Sequence, residues 1–372
     1  MNYAFALLPM ARVAVRGRID VMPAWVLLSA VLFSLIFVFS TVLFLEVLPL
    51  FARRLASFFV FMSMFAFVVT RMTPEDTEAF TLAVITMAVV FSAYSILVFA
   101  RANAAGTLHF EAKDLVGSQR FGFIYVMAWW LLLLARVRTR RLGLIRWGSL
   151  IVVLSGIGLT FSRSSVVALL ASTALFVAVR AIRRAARLEL VLPGPRAWVG
   201  IAGLSVAVIL LVQMFPLTVE FYGQTLLTPL LDSSLFTAAT QAGSSEGIRV
   251  VRIMEIVGFV LQYPLTGSGY LGIWAISPSG GGSAHNQLLD TLLRVGFVGF
   301  AVYIGILLTV MRHLQRAHTG LFWGMIGVLI YGFFHETFKE SHGAFVLAFV
   351  VGLTVQHWRS QHTGRLAAAG GL

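Results

Sequence analysis

Cysteine is missing from all 372 residues, which rules out disulfides, thiol nucleophiles and cysteine-held metals. Lysine is nearly missing too: only Lys113 and Lys339 occur. Charge as a whole is scarce, at 12% of residues, and it is lopsided, with 15 acidic against 28 basic residues and a net of +13. The chain has no Gly-x-x-x-x-Gly-Lys-Ser/Thr phosphate loop, no His-Glu-x-x-His pair and no Asp-x-Asp pair. These absences argue against ATP hydrolysis and against a metal-dependent sugar-nucleotide enzyme. No cofactor and no metal site is expected.

What fills the chain instead is apolar surface. Hydrophobic residues make up 59% and the mean hydropathy is +0.91, more than a soluble domain can hide and what a bilayer absorbs. Runs of roughly spanning length recur at Trp25–Leu45, Leu55–Val69, Phe80–Ala100, Phe121–Ala135, Trp147–Phe161, Ser165–Val179, Trp198–Pro216, Leu288–Met311, Leu321–Phe334 and Ala344–His357. They are continuously apolar, not alternating, which favours helices over a barrel. The expectation is an all-α, polytopic membrane helix bundle of about ten transmembrane helices, with an outer loop carrying short helices. Its parts are an N-terminal lead-in over 1–24, transmembrane helices over 25–216, an outer loop over 217–287, transmembrane helices over 288–357 and a tail over 358–372. The lead-in, with Arg12, Arg16 and Arg18, reads as cytoplasmic or interfacial and not as a cleaved signal.

The arginines set the orientation. Arg136, Arg138, Arg140, Arg141 and Arg146 share one loop; Arg180, Arg183, Arg184, Arg187 and Arg196 share another; Arg312 and Arg316, then Arg359 and Arg365, follow later spans. Alternation puts all four groups on one side, the cytoplasmic one by the positive-inside rule. Only Arg53-Arg54 disagree: either the first spans are miscounted, the reading favoured here, or these arginines meet a ligand or a headgroup. The basic excess is thus assigned to topology and anionic lipid headgroups, not to nucleic acid. Residues 217–287 then face outward, away from the cytoplasm.

A few polar residues stand out on that outer side. Arg163 lies in Ser162-Arg163-Ser164-Ser165 between two apolar runs. It is either a snorkelling turn residue or a bidentate phosphate grip. Arg249 and Arg252 are three apart, hence on one helix face, with Glu246 and Glu255 in pairing range. Ile248–Gln262 has near-helical apolar spacing, Pro264 ends it, and Gly267-Ser268-Gly269 bends. His285-Asn286 opens a helix that Ser283 or Asn286 could cap. His285 there is either a structural interfacial residue or a neutral imidazole able to accept a proton from a sugar hydroxyl near neutral pH. Eleven residues on comes Gly296, ~16 Å along a straight helix. Gly296 and Gly299 are expected near the midplane, admitting a neighbouring helix. His335, Glu336, Glu340 and His342 lie on the same side without a telling spacing.

At this point the chain resembles the O-antigen ligase and polymerase superfamily of bacterial envelope glycosyltransferases. The ligase pattern of His-Asn/Ser/Gln, nine residues, then Gly-x-x-Gly is complete at His285, Asn286, Gly296 and Gly299. Arg249 stands fifteen residues before Pro264-Leu265-Thr266-Gly267-Ser268-Gly269, and Ser162-Arg163 opens a span. Four residues after Arg163 the family usually has leucine; here it is Val167. The resemblance covers roughly 150–300 well, and it marks the superfamily better than the member. It implies a multi-pass protein of the bacterial inner membrane with its active site facing the periplasm, a metal-independent glycosyltransferase that moves a glycan from undecaprenyl diphosphate to an acceptor sugar hydroxyl. His285 and Arg249 would be catalytic, and Arg163, Arg252 and Asn286 would bind substrate. The partners would be the lipid-linked donor, a glycan or lipid A–core acceptor, and membrane lipids.

O-antigen ligation to lipid A–core leads, because the histidine pattern takes the ligase form. The alternative is an O-antigen or exopolysaccharide polymerase using lipid-linked repeat units. A lipid-linked glycan transporter and a protein O-glycosylating enzyme stand behind both; the transporter is disfavoured by the lack of repeated halves.

Overall fold

The computed structural model describes residues 61, 64–65, 67–69, 74–105, 122–135, 139–159, 162–185, 245–269, 271–277, 284–339 and 341–369. Among them the regular structure is helical, with no strand. The long α-helices are α1 (Pro74–Ala104), α2 (Gly122–Leu134), α3 (Arg140–Leu159), α4 (Arg163–Ala185), α5 (Ser245–Gln262), α6 (Gln287–Ala317), α7 (Thr319–Gly332) and α8 (Ser341–Ala369). Short 3-10 turns occupy Gly272–Ala275 and Thr337–Lys339. Seven of the expected spans have counterparts here: α1 to α4, α6, α7 and α8. Trp25–Leu45 and Trp198–Pro216 lie outside the described residues, as does most of Leu55–Val69.

Among the described residues four helices are long and apolar enough to cross a membrane: Thr77–Arg101, Arg140–Leu159, Ser164–Ile182 and Gln287–Ala317. Shorter apolar helices cover Gly122–Leu134, Thr319–Gly332 and Gly343–His357. The protein is a multi-pass membrane helix bundle. Its exposed apolar side chains, Leu97, Leu144, Leu170 and Leu308 among them, are of the kind a bilayer's hydrocarbon accommodates.

The chain divides into two compact units. One holds the described residues of Glu78–Gly247 and His318–Tyr331. Its centre is α2, only 13 residues long, with Phe123, Ile124, Tyr125, Val126, Met127, Ala128 and Trp130 all buried. At ~1.5 Å per residue α2 is shorter than a hydrocarbon core is thick, so it is wrapped by neighbours. Gly320, Gly324 and Gly327 of α7 face it: a Cβ at Gly327 would collide with Val126, and one at Gly324 would sit 3.2 Å from Met127 Cγ. Small residues at that spacing bring two helix backbones together where water supplies no driving force. Trp130 stacks against Phe176 and Trp323 at 5.1 and 5.6 Å, and its Nε1–H donates to buried Ser172 Oγ at 3.0 Å.

The other unit holds the described residues of Met1–Thr77, Ile248–Ala317 and Gly332–Leu372. Ile256 and Val260 of α5, Ile273, Ala284 and Leu293 form one buried cluster, edged by Phe259, Trp274, Ile276, Leu289 and Leu292. That cluster includes Ala284, the residue before His285.

Candidate functional site

Helix α5 ends where its chemistry forces it to. Pro264 has no N–H to continue the ladder, and the residue before a proline is pushed out of the α region. Gln262 is the last helical residue. The chain then turns through Pro264–Gly269, closing with the Gly267 N–H on the Tyr263 carbonyl at 3.0 Å.

Helix α6 starts as the sequence suggests. Asn286 is the cap: its Oδ1 accepts the N–H groups of Leu288 and Leu289 at 2.9 and 3.1 Å, which serves two donors that the first turn leaves open. His285, just before it, is exposed and has φ 47°. A non-glycine residue in that left-handed region is uncommon, with histidine, asparagine and aspartate the usual exceptions.

Straight continuation of α6 is not observed. Gly296 breaks it, at φ 63° and ψ −172°, a region open essentially to glycine alone. The expectation that Gly296 admits a neighbouring helix is corrected: what comes close is the Pro264–Gly269 turn. A Cβ on Gly296 would lie 2.5 Å from the Pro264 carbonyl oxygen and 2.7 Å from the Leu265 carbonyl carbon. Gly267, at φ 60°, is equally tight; its Cβ would be 2.7 Å from the Gly296 nitrogen. Gly299 is crowded only by Val295 of its own helix.

The break leaves main-chain groups without helical partners, and the turn supplies them. Ser268 N–H donates to the Leu293 carbonyl at 2.7 Å and Gly269 N–H to that of Arg294 at 2.9 Å. Ser268 Oγ adds a second donor to Leu293 at 3.1 Å. In return Phe297 N–H donates to the Pro264 carbonyl at 2.7 Å. Non-helical backbone inside a membrane protein persists only where protein satisfies it in this way.

Two charged pairs sit on this frame. Arg252 Nη1 binds Glu255 Oε2 at 2.9 Å, a pair three residues apart on α5 with side chains 17% and 40% exposed. The sequence left the partner of Glu255 open; it is Arg252. A second pair was missed. Arg294 Nε binds Asp290 Oδ2 at 2.8 Å, with the Asp290 side chain only 3% exposed. Its guanidinium lies over Gly272, where a Cβ would be 2.6 Å from Cζ. The four-residue spacing was the available signal.

A third link joins the start of α6 to the segment after α7. Ala284 N–H donates to Glu336 Oε1 at 2.5 Å, and Phe338 N–H donates to Gln287 Oε1 at 2.8 Å. Glu336 is thus tied to the residue preceding His285.

The structure gathers His285, Asn286, Arg252 and the backbone of Arg249 in one unit. α5 reaches the His285 segment through the cluster of Ile256, Val260, Ala284 and Leu293. Arg163 opens α4, in the other unit. The side chains of Arg163, Arg249 and His342, together with Glu340, lie outside the described residues. So do Thr218–Thr240 of the expected outer loop and Arg53-Arg54. No group of three or more histidine, aspartate or glutamate residues placed to hold a metal ion occurs among the described residues.

Residues 148–304 match the family model described as O-antigen ligase. The match runs from α3 through the His285 segment, the Gly296 break and the first turns beyond it. It supports a membrane glycan ligase or polymerase type of function. Comparison with curated proteins gives no match.

Proposed function

We propose that this protein, whose residues 148–304 match the O-antigen ligase family model, transfers a glycan from undecaprenyl diphosphate to an acceptor sugar hydroxyl, on the periplasmic side of the inner membrane, as an O-antigen ligase acting on lipid A–core. The observation that carries it is the docking of Pro264–Gly269 into the Gly296 break. Two stretches that resemble the superfamily, distant in sequence, form one hydrogen-bonded unit and set α5, with Arg249 and Arg252, against the helix that His285 opens.

In this reading the acceptor oxygen attacks the anomeric carbon of the donor. The carbon–oxygen bond to the diphosphate breaks, and undecaprenyl diphosphate leaves with the electron pair. Arg249 and Arg163 stabilise the charge that develops on the diphosphate, with Arg252 assisting, where guanidinium groups can supply cations without a metal. His285 orients the acceptor hydroxyl and takes its proton. Asn286 holds the turn on which His285 sits and contributes to substrate binding.

The test is a deletion strain complemented with variants. Long polymer accumulating on undecaprenyl diphosphate in the deletion supports a ligase. Single lipid-linked repeat units accumulating there identify a polymerase instead. His285→Ala and Arg249→Ala, present in the membrane at parental levels, are expected to abolish transfer. Unchanged product ladders in both overturn the assignment.

A further inference from the structure

Glu336 is buried, in a 3-10-containing segment between α7 and α8, yet it carries a carboxylate. Burying such a group is costly unless it is bonded. Its bond goes to the main-chain N–H of Ala284, 52 residues earlier in the chain. The next residue is His285, the one non-glycine residue with positive φ among those described. Two residues further on, Gln287 makes the reciprocal bond, its Oε1 accepting Phe338 N–H at 2.8 Å while its Nε2 donates to Thr291 at 3.1 Å. His285-Asn286 therefore lie between two stitches, at 284–336 and 287–338. The strap itself is seated: Thr337 is buried, and a Cβ on Gly343 of α8 would collide with the Thr337 carbonyl. On the other side a Cβ on Gly332 would lie 3.3 Å from Gln287 Cβ.

We propose that Glu336 is a positioning residue for His285: its carboxylate holds the Ala284 amide and so fixes the left-handed turn from which the imidazole projects. This rests on the reading that His285 handles the acceptor hydroxyl. Histidine tolerates the left-handed region better than most residues, yet φ > 0 stays uncommon even for it. That conformation is held by what binds the amides around it. A carboxylate oxygen makes a stronger bond to an amide than a neutral acceptor does, and it frees the turn from having to supply its own partner.

The experiment compares Glu336→Ala, Glu336→Gln, Gln287→Ala and His285→Ala in the full-length protein. Initial rates of glycan transfer to lipid A–core are measured against the concentration of undecaprenyl-diphosphate-linked polymer. Glu336→Ala is expected to lower kcat by about 100-fold, the scale of a small misplacement of a reacting group, with the donor KM within about two-fold. Glu336→Gln keeps an oxygen acceptor and is expected to restore kcat to within about five-fold of the parent. Where Glu336→Ala reaches the membrane poorly, Gln287→Ala cuts the second stitch and is expected to show the same selective loss of kcat. Full activity in both Glu336→Ala and Gln287→Ala beside an inactive His285→Ala overturns the positioning role alone. So does a Glu336→Gln as slow as Glu336→Ala. An active His285→Ala overturns the transfer reading and this inference together.

Discussion

The main-chain N–H of Phe297 donates to the carbonyl of Pro264 at 2.7 Å, so a proline that stops one helix completes the hydrogen bonding of another that glycine has broken. The Pro264–Gly269 turn and the Gly296 break are two halves of one joint. Changes on either side should therefore behave alike, and differently from changes a few residues away.

Gly296→Ala places a Cβ at positive φ and against the Pro264 carbonyl. Backbone strain in that region and an immovable main-chain neighbour together cost about 3 kcal/mol. Thermal unfolding in detergent should fall by several degrees, with loss of transfer. Gly305→Ala is the control. It lies farther along α6, where a Cβ meets nothing within 4 Å, and its melting temperature should stay close to the parent.

Arg294 and Asp290 are coupled in the same region, and Asp290 is the buried partner. Arg294→Leu strands a buried carboxylate, at a cost of about 3 kcal/mol for a partly buried pair. Asp290→Leu with Arg294→Leu removes both charges and should recover at least half of that loss. A double-mutant cycle on unfolding midpoints checks it; a double variant no more stable than Arg294→Leu would show that the pair is not the source.

Glu255 holds Arg252 at 2.9 Å, with its own side chain 40% exposed. A pair this exposed contributes about 0.3–0.5 kcal/mol, so Glu255→Gln should leave stability unchanged within error. If the carboxylate takes no part in the reaction, kcat stays within about two-fold of the parent. A drop of two orders of magnitude would make Glu255 a participant and not a tether for Arg252.

The parts of this architecture that were legible in sequence are those set by local patterning. Continuous apolar runs announced α1 to α4 and α6 to α8, and the spacing over Ile248–Gln262 with Pro264 behind it announced α5 and its end. Asn286 was readable as a cap because capping is a two- to three-residue event. Gly296 was not readable as a break. A glycine in an apolar helix is commonly a packing residue, and what selects positive φ here is a turn some thirty residues earlier in the chain. The Asp290–Arg294 pair was hidden inside a run that reads as lipid-facing. The Glu336 bond to Ala284 joins residues 52 apart, a distance at which no local pattern carries information.

Arg163 offers the sharpest test of the donor site. It is the first residue of α4, and Ser162 before it is buried, its carbonyl accepting the Ser165 N–H at 3.1 Å and its Oγ 2.6 Å from that of Ser164. A helix start favours anions through its open N–H groups and dipole, and an arginine there can add two parallel bonds to a phosphate. Lysine keeps the charge and loses the fork. Arg163→Lys is therefore expected to lower kcat/KM for the diphosphate-linked donor by at least about 30-fold, with ~1.4 kcal/mol for each factor of ten. Binding of inorganic pyrophosphate as a competitor should weaken in parallel. Full activity in Arg163→Lys would mean that charge alone suffices at this position, as it would for a side chain reaching to lipid headgroups, and Arg163 would leave the donor site.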